Sequence, residues 1–273
     1  MTNAFDNLSW NDDFSGAVRL PFAALTLRTL RGESKMKGTQ PDARYFGGWA
    51  YNDEDSRKML ADGDLLADPS WDLYEATGEK GDYAEHANRV AHVAVIKGRM
   101  RWSNDQARQY STKYFQGARM HIQYLAGLFK RDKGTVSFCG MAMLTAKGIQ
   151  ASNLQKAIDL YANFIRTATA GEPELMKLPR PAWIITLGTY GDKPVFETVG
   201  KGSATSTLTP IKAVLPKDAA ELTKRRVPAD VLDLMGQRYE QAAQWLGAWK
   251  QAAAETEPIA VTQNADSYEE QPF

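Results

Sequence analysis

Apolar and polar side chains change their spacing several times along this chain, and the changes mark its elements. Residues 20–27 are mostly apolar, 45–51 are aromatic around Gly47 and Gly48, and both stretches predict strands. Residues 89–96 form a buried-looking apolar run. Basic and apolar residues then alternate over 97–102, so that Arg99 and Arg101 face one way on a strand and Met100 and Trp102 the other. Over 119–129 the same alternation puts Met120, Ile122, Tyr124 and Ala126 on one face and Arg119, His121 and Gln123 on the other. A turn at 130–134 and a strand over 135–144 complete a predicted hairpin.

Helical spacing follows. Ser152 or Asn153 caps a helix whose apolar stripe is Leu154, Ile158, Tyr161 and Ile165, and Gly171 ends it. Strands over 183–190 and 195–199 come next, joined by Gly191-Asp192, and a Gly/Ser/Thr loop covers 200–209. A last helix starts near Pro228 and runs to about 254, with Val231, Met235, Tyr239, Ala242, Leu246 and Trp249 as its stripe. Residues 1–17 are polar, and 52–85 are acidic and rich in turn formers, an elaborated surface segment by composition. Beyond 255 the periodicity is lost, which predicts disorder. The pattern reads as α+β: an antiparallel, partly closed, OB-like barrel with added helices, in one domain over 1–254 followed by an acidic tail over 255–273.

Charge sharpens this division. The net charge of the 273 residues is zero, yet Lys250 is the last basic residue. All 33 basic residues and 28 of the 33 acidic ones lie in the first 250 positions, which therefore carry +5 against −5 for the remainder. A basic body with an acidic tail suits a protein that binds nucleic acid and regulates that binding. No stretch approaches the roughly 20 apolar residues of a membrane span. The first residues lack the basic-then-apolar order of a secretory signal. With Cys139 as the one cysteine, no intramolecular disulfide can form, and a cytoplasmic location is expected.

Cations and flat rings coincide at three places, as single-stranded DNA binding requires. One is Lys97, Arg99, Arg101 and Trp102; a second is Lys113 and Tyr114 with Arg119. The third is Arg44, Tyr45, Phe46 and Trp49, beside the basic loop at Arg31, Lys35 and Lys37. Lys201, in the Gly-rich loop, is a further phosphate contact. Its surroundings fail the P-loop pattern, because Val195 stands where the first Gly is required and Gly202 where Ser or Thr is. His86, His92 and His121 lack metal-ligand spacing, and one cysteine builds no zinc site, so no metal and no cofactor is expected. The carboxylates over 53–72 leave a metal-dependent nuclease as a lesser alternative to a protein without enzymatic activity.

The chain closes on Glu269, Glu270, Gln271, Pro272 and Phe273. This ending resembles the C-terminal tip of bacterial and phage single-stranded DNA-binding proteins, which is acidic and ends in Pro-Phe. The resemblance covers about eight residues, with Gln271 interrupting the pattern. It implies that Glu269, Glu270, Pro272 and Phe273 form a partner-binding tip that docks replication, repair or recombination proteins and competes with DNA for a basic groove. The expected function is non-specific binding of single-stranded DNA with recruitment through the tip. A strand-annealing recombination mediator is the alternative, and a homo-oligomer is left open. The length and the helix near 228–254 depart from the minimal bacterial protein and suit a mobile-element version.

Overall fold

The computed structural model describes residues 19–30, 47–78, 81–104, 109–132, 135–189, 197–199 and 206–255. Nine strands lie side by side in one sheet. In chain order they are β1 (Leu25–Leu30), β2 (Gly48–Asn52), β3 (Asp72–Gly78), β4 (Gly81–Asn88), β5 (Val90–Asn104), β7 (Arg119–Asp132), β8 (Thr135–Lys147), β9 (Ile185–Gly188) and β12 (Lys212–Val214). A tenth, β6 (Gln109–Ser111), pairs with the far end of β5. The spatial order is β12-β9-β5-β7-β8-β1-β2-β4-β3, antiparallel except where β1 lies parallel to β8. A separate two-stranded ribbon joins β10 (Glu197–Val199) to β11 (Ser206–Leu208). Among the described residues six α-helices complete the fold: α1 (Asp53–Ala61), α2 (Ile149–Ala168), α3 (Pro173–Met176), α4 (Ala219–Thr223), α5 (Ala229–Gln241) and α6 (Ala243–Glu255).

The sheet is open but strongly curled. Trp49 on β2 donates from Nε1 to the Leu187 carbonyl on β9, at 2.9 Å, although four strands separate these two in the sheet. Such a bond requires the sheet to bend back on itself. Inside the curl lie Leu25, Leu27, Trp49, Val93, Val95, Ile122, Ala126 and Leu128, against the α2 side chains Leu154, Ile158 and Tyr161. On the other face Leu125, Phe129, Met141 and Met143 pack with Met235 of α5 and Trp245 of α6.

Two glycines permit the close approaches that the curl needs. A Cβ at Gly98 would lie 2.4 Å from the Tyr124 ring. A Cβ at Gly188, where φ is +157°, would lie 2.0 Å from the Arg89 carbonyl oxygen. A bulge between Val95 and Lys97 shifts the register of β5 against β7. The apolar run over 89–96 and the alternating one over 97–102 are therefore one bent strand, and the bulge is where their patterns meet.

Several expectations are corrected here. The segment over 52–85 lies mostly at the surface, as expected, but it is more than turns: it contains α1, β3 and the start of β4, and Leu65 and Trp71 within it are buried. Asn52 caps α1 by accepting from the Asp55 amide. Helix α2 is not capped by Ser152 or Asn153 but begins at Ile149, after Gly148 with φ +58° turns the chain out of β8. The single helix expected from Pro228 is two, broken at Ala242, whose amide bonds back to Arg238 and Tyr239. Tyr239, in the last turns of α5, is 41% exposed, and Trp245 of α6 is buried in the core.

Candidate functional site

The basic and aromatic residues of β5 divide between the two faces of the sheet. Met100 pairs with Ile122 and Trp102 with Met120 on the inner face. Arg99 pairs with Gln123 and Arg101 with His121 on the outer one. Alternation along a strand places these side chains back to back, so Arg99 and Arg101 do not share one groove with Trp102.

The outer face is closed by α6. The Arg99 guanidinium donates to Gln123 Oε1 from Nε at 2.9 Å and Nη2 at 2.7 Å, and to the Trp245 carbonyl from Nη1 at 2.6 Å. It also lies over both α6 rings, 3.9 Å from the centre of Trp245 and 4.3 Å from that of Trp249. Arg101 is 4% exposed, with Trp249 on it at 4.4 Å and Tyr110 at 4.8 Å. Desolvated contacts between a cation and a ring are worth about 2 kcal/mol each. They compensate in part for burying two like charges two residues apart on one strand face.

Burial and the neighbouring Arg101 charge lower the Arg99 guanidinium to about 9. Arg101 Nη2 reaches His121 Nδ1 at 3.5 Å, and since a guanidinium only donates, Nδ1 accepts. Nε2–H then donates to Thr145 Oγ1, 3.1 Å away. Burial, with Arg101, Lys147 and Arg99 nearby, holds this imidazole well below its ordinary value, in agreement with the neutral ring that the bonding requires.

On the inner face the end of the sheet is open. Tyr114 is 66% exposed and stands edge-on to Trp102, ring centres 5.0 Å apart at 81°. Lys113 beside it is exposed, its amide bonded to Ser111 Oγ. Lys97 and Arg119 are also exposed, but their strand positions set them on the outer face with Arg99, Arg101 and His121. Trp49, in contrast, is fully buried with its indole N–H bonded, so it is a core residue and has no face for a base. Arg31, Lys35, Lys37, Arg44, Tyr45, Phe46 and Lys201 lie outside the described residues, as do Glu269, Glu270, Pro272 and Phe273.

Three carboxylates of the acidic stretch offered to the nuclease reading are engaged in local bonds. Asp53 is buried, bonded to His86 Nε2 at 2.5 Å and to Arg57. Asp62 pairs with Lys58, and Asp68 accepts from the Ser70 amide. Among the described residues no three His, Cys, Asp or Glu side chains are grouped to hold a metal ion. Cys139 is buried, and burial pushes its thiol up to about 11. Among the described residues no helix is long and apolar enough to cross a membrane.

Sequence reasoning missed the partners of the arginines. Tyr110, Trp245 and Trp249 complete the cluster, and the signal for the last two was their i, i+4 spacing, which places both on one side of a helix. His121 and Gln123 were legible as the polar face of β7. No family model, curated protein or solved structure matches this chain.

Proposed function

We propose that this protein binds single-stranded DNA without sequence preference at the open end of its curled sheet. The acidic Pro-Phe tip recruits replication, repair or recombination proteins. The curled sheet serves as an OB-like barrel in this reading. The observation that carries it is the exposed Tyr114 ring set edge-on against Trp102, beside Lys113: two rings to stack on successive bases and a cation to meet the phosphates.

The outer face adds a second element. Arg99 and Arg101 are held by aromatic rings from α6 in the same stacked geometry that a base would offer. A strand competing with Trp245 and Trp249 for these guanidiniums would use the outer face as a second binding surface, and the acidic tail follows α6 directly.

Tyr114→Ala tests the inner-face site. Its side chain is exposed, so the fold should be unaffected. Removing one stacking ring should lower oligo-dT affinity by about 1–3 kcal/mol, roughly 5- to 150-fold. Unchanged affinity, measured by anisotropy of a labelled oligonucleotide, would place the site elsewhere.

A further inference from the structure

A second concentration of positive charge lies on the opposite part of the sheet, and the proposed single-stranded DNA site makes no use of it. His92 of β5, Arg131 of β7, Val136 of β8, Ile184 and Thr186 at β9, and Lys224 and Arg225 after α4 line a small pocket that opens to solvent and has room inside for about one water molecule. No carboxylate is among these lining residues. Arg131 and Lys224 are exposed and take part in no ion pair among the described residues.

Arg225 differs from the other two cations. It is 7% exposed and fixed by two bonds, from Nη1 to the Val214 carbonyl at 2.9 Å and from Nη2 to Glu221 at 2.6 Å. Its Nε–H, also buried, has no hydrogen-bond partner. An unmet buried donor costs about 1–3 kcal/mol, and a ligand that accepts from it recovers that cost. Thr186 Oγ1 and His92 Nδ1 are 2.9 Å apart, which leaves the His92 Nε2 position for a ligand. Glu221 is already engaged by Arg225 and by the Lys217 amide, so one carboxylate offsets one of three cations.

We propose that the mouth of this pocket binds a phosphate group. Arg131 and Lys224 supply the charge that attracts it, Arg225 Nε–H is an unmet donor, and Thr186, by donating to His92 Nδ1, leaves the neutral His92 with Nε2–H as a further directional donor. The phosphate is carried on an oligonucleotide end or is free in solution. The proposal does not rest on the single-stranded DNA reading, because the free ion tests it alone.

The experiment is thermal unfolding of the full chain in sodium phosphate and in sodium chloride at equal ionic strength. It uses the wild type and Arg131→Gln/Lys224→Gln, both exposed positions whose replacement spares the core. The wild type should gain about 3 °C or more in Tm at a tenfold excess of phosphate over Kd, and the double variant should gain none. A 5′-phosphorylated dT oligonucleotide competing with phosphate better than its 5′-hydroxyl twin would assign the terminal phosphate. Equal competition would assign the free ion or an internal phosphodiester, with the pocket intact in each case. No phosphate-specific gain in the wild type, or the same gain in the double variant, would overturn the proposal.

Discussion

His92 and His121 are folded as neutral rings, and this makes stability depend on acid. Burial and the charges of Arg131 and Arg225 lower His92 to about 4, against roughly 6.5 in an unfolded chain. Between those values the unfolded chain takes up a proton that the folded chain refuses, so stability is full above pH 6.5 and falls as pH drops toward 4. His121 acts in the same direction. From His92 alone the loss between pH 7 and pH 4.5 is about 2 kcal/mol. Urea midpoints of the wild type and His92→Gln at both pH values measure it: the wild type should lose more than the variant, and parallel losses would refute the burial argument. Gly188 gives a second residue-scale prediction. Its φ of +157° and the Arg89 carbonyl 2.0 Å from a would-be Cβ leave no room for a side chain. Gly188→Ala should cost about 3 kcal/mol in denaturant unfolding; a cost near zero would show that the β5–β9 edge yields.

Helix α6 is the element on which the outer face depends. Trp249 touches Arg99, Arg101 and His121, with its ring centre 5.0 Å from that of His121. Trp249→Ala should loosen α6 from the sheet and raise affinity for oligo-dT, because two arginines lose a competing ring; anisotropy titration reads the change. Equal or weaker affinity would leave the arginine face out of the interface. Elements whose signal is local were legible in the sequence. The pairing of β7 with β8, and the face assignments of Arg99, Arg101, Met100 and Trp102, follow from alternation alone. The α5–α6 break was not legible, because neither Gly nor Pro stands at Ala242 to mark it. Trp49 was misassigned for a related reason: a ring beside a Gly pair reads the same whether the space there admits a ligand or, as here, the other side of the sheet. The phosphate pocket was invisible, since its cations come from β7 and from the turn after α4, brought together by the adjacency of β7, β5 and β9 and by the bond from the Ile184 amide to the Arg225 carbonyl.

At the scale of the whole molecule, charge is separated by position in the chain: +5 over the first 250 residues and −5 over the rest. The sheet presents Lys113 beside the half-buried Trp102 and the exposed Tyr114, Lys97 and Arg119 on the outer face, and Arg131 and Lys224 at the second pocket. Phosphates binding such cations release counterions, so affinity must fall as salt rises. The measurement that bears most directly on the account is titration of the full chain with oligo-dT at 50 and 200 mM salt, followed by tryptophan fluorescence. With about three phosphate contacts, affinity should fall roughly fifteenfold between the two, with quenching as Trp102 stacks. Absence of binding at the lower salt, or an affinity that salt leaves unchanged, would contradict it.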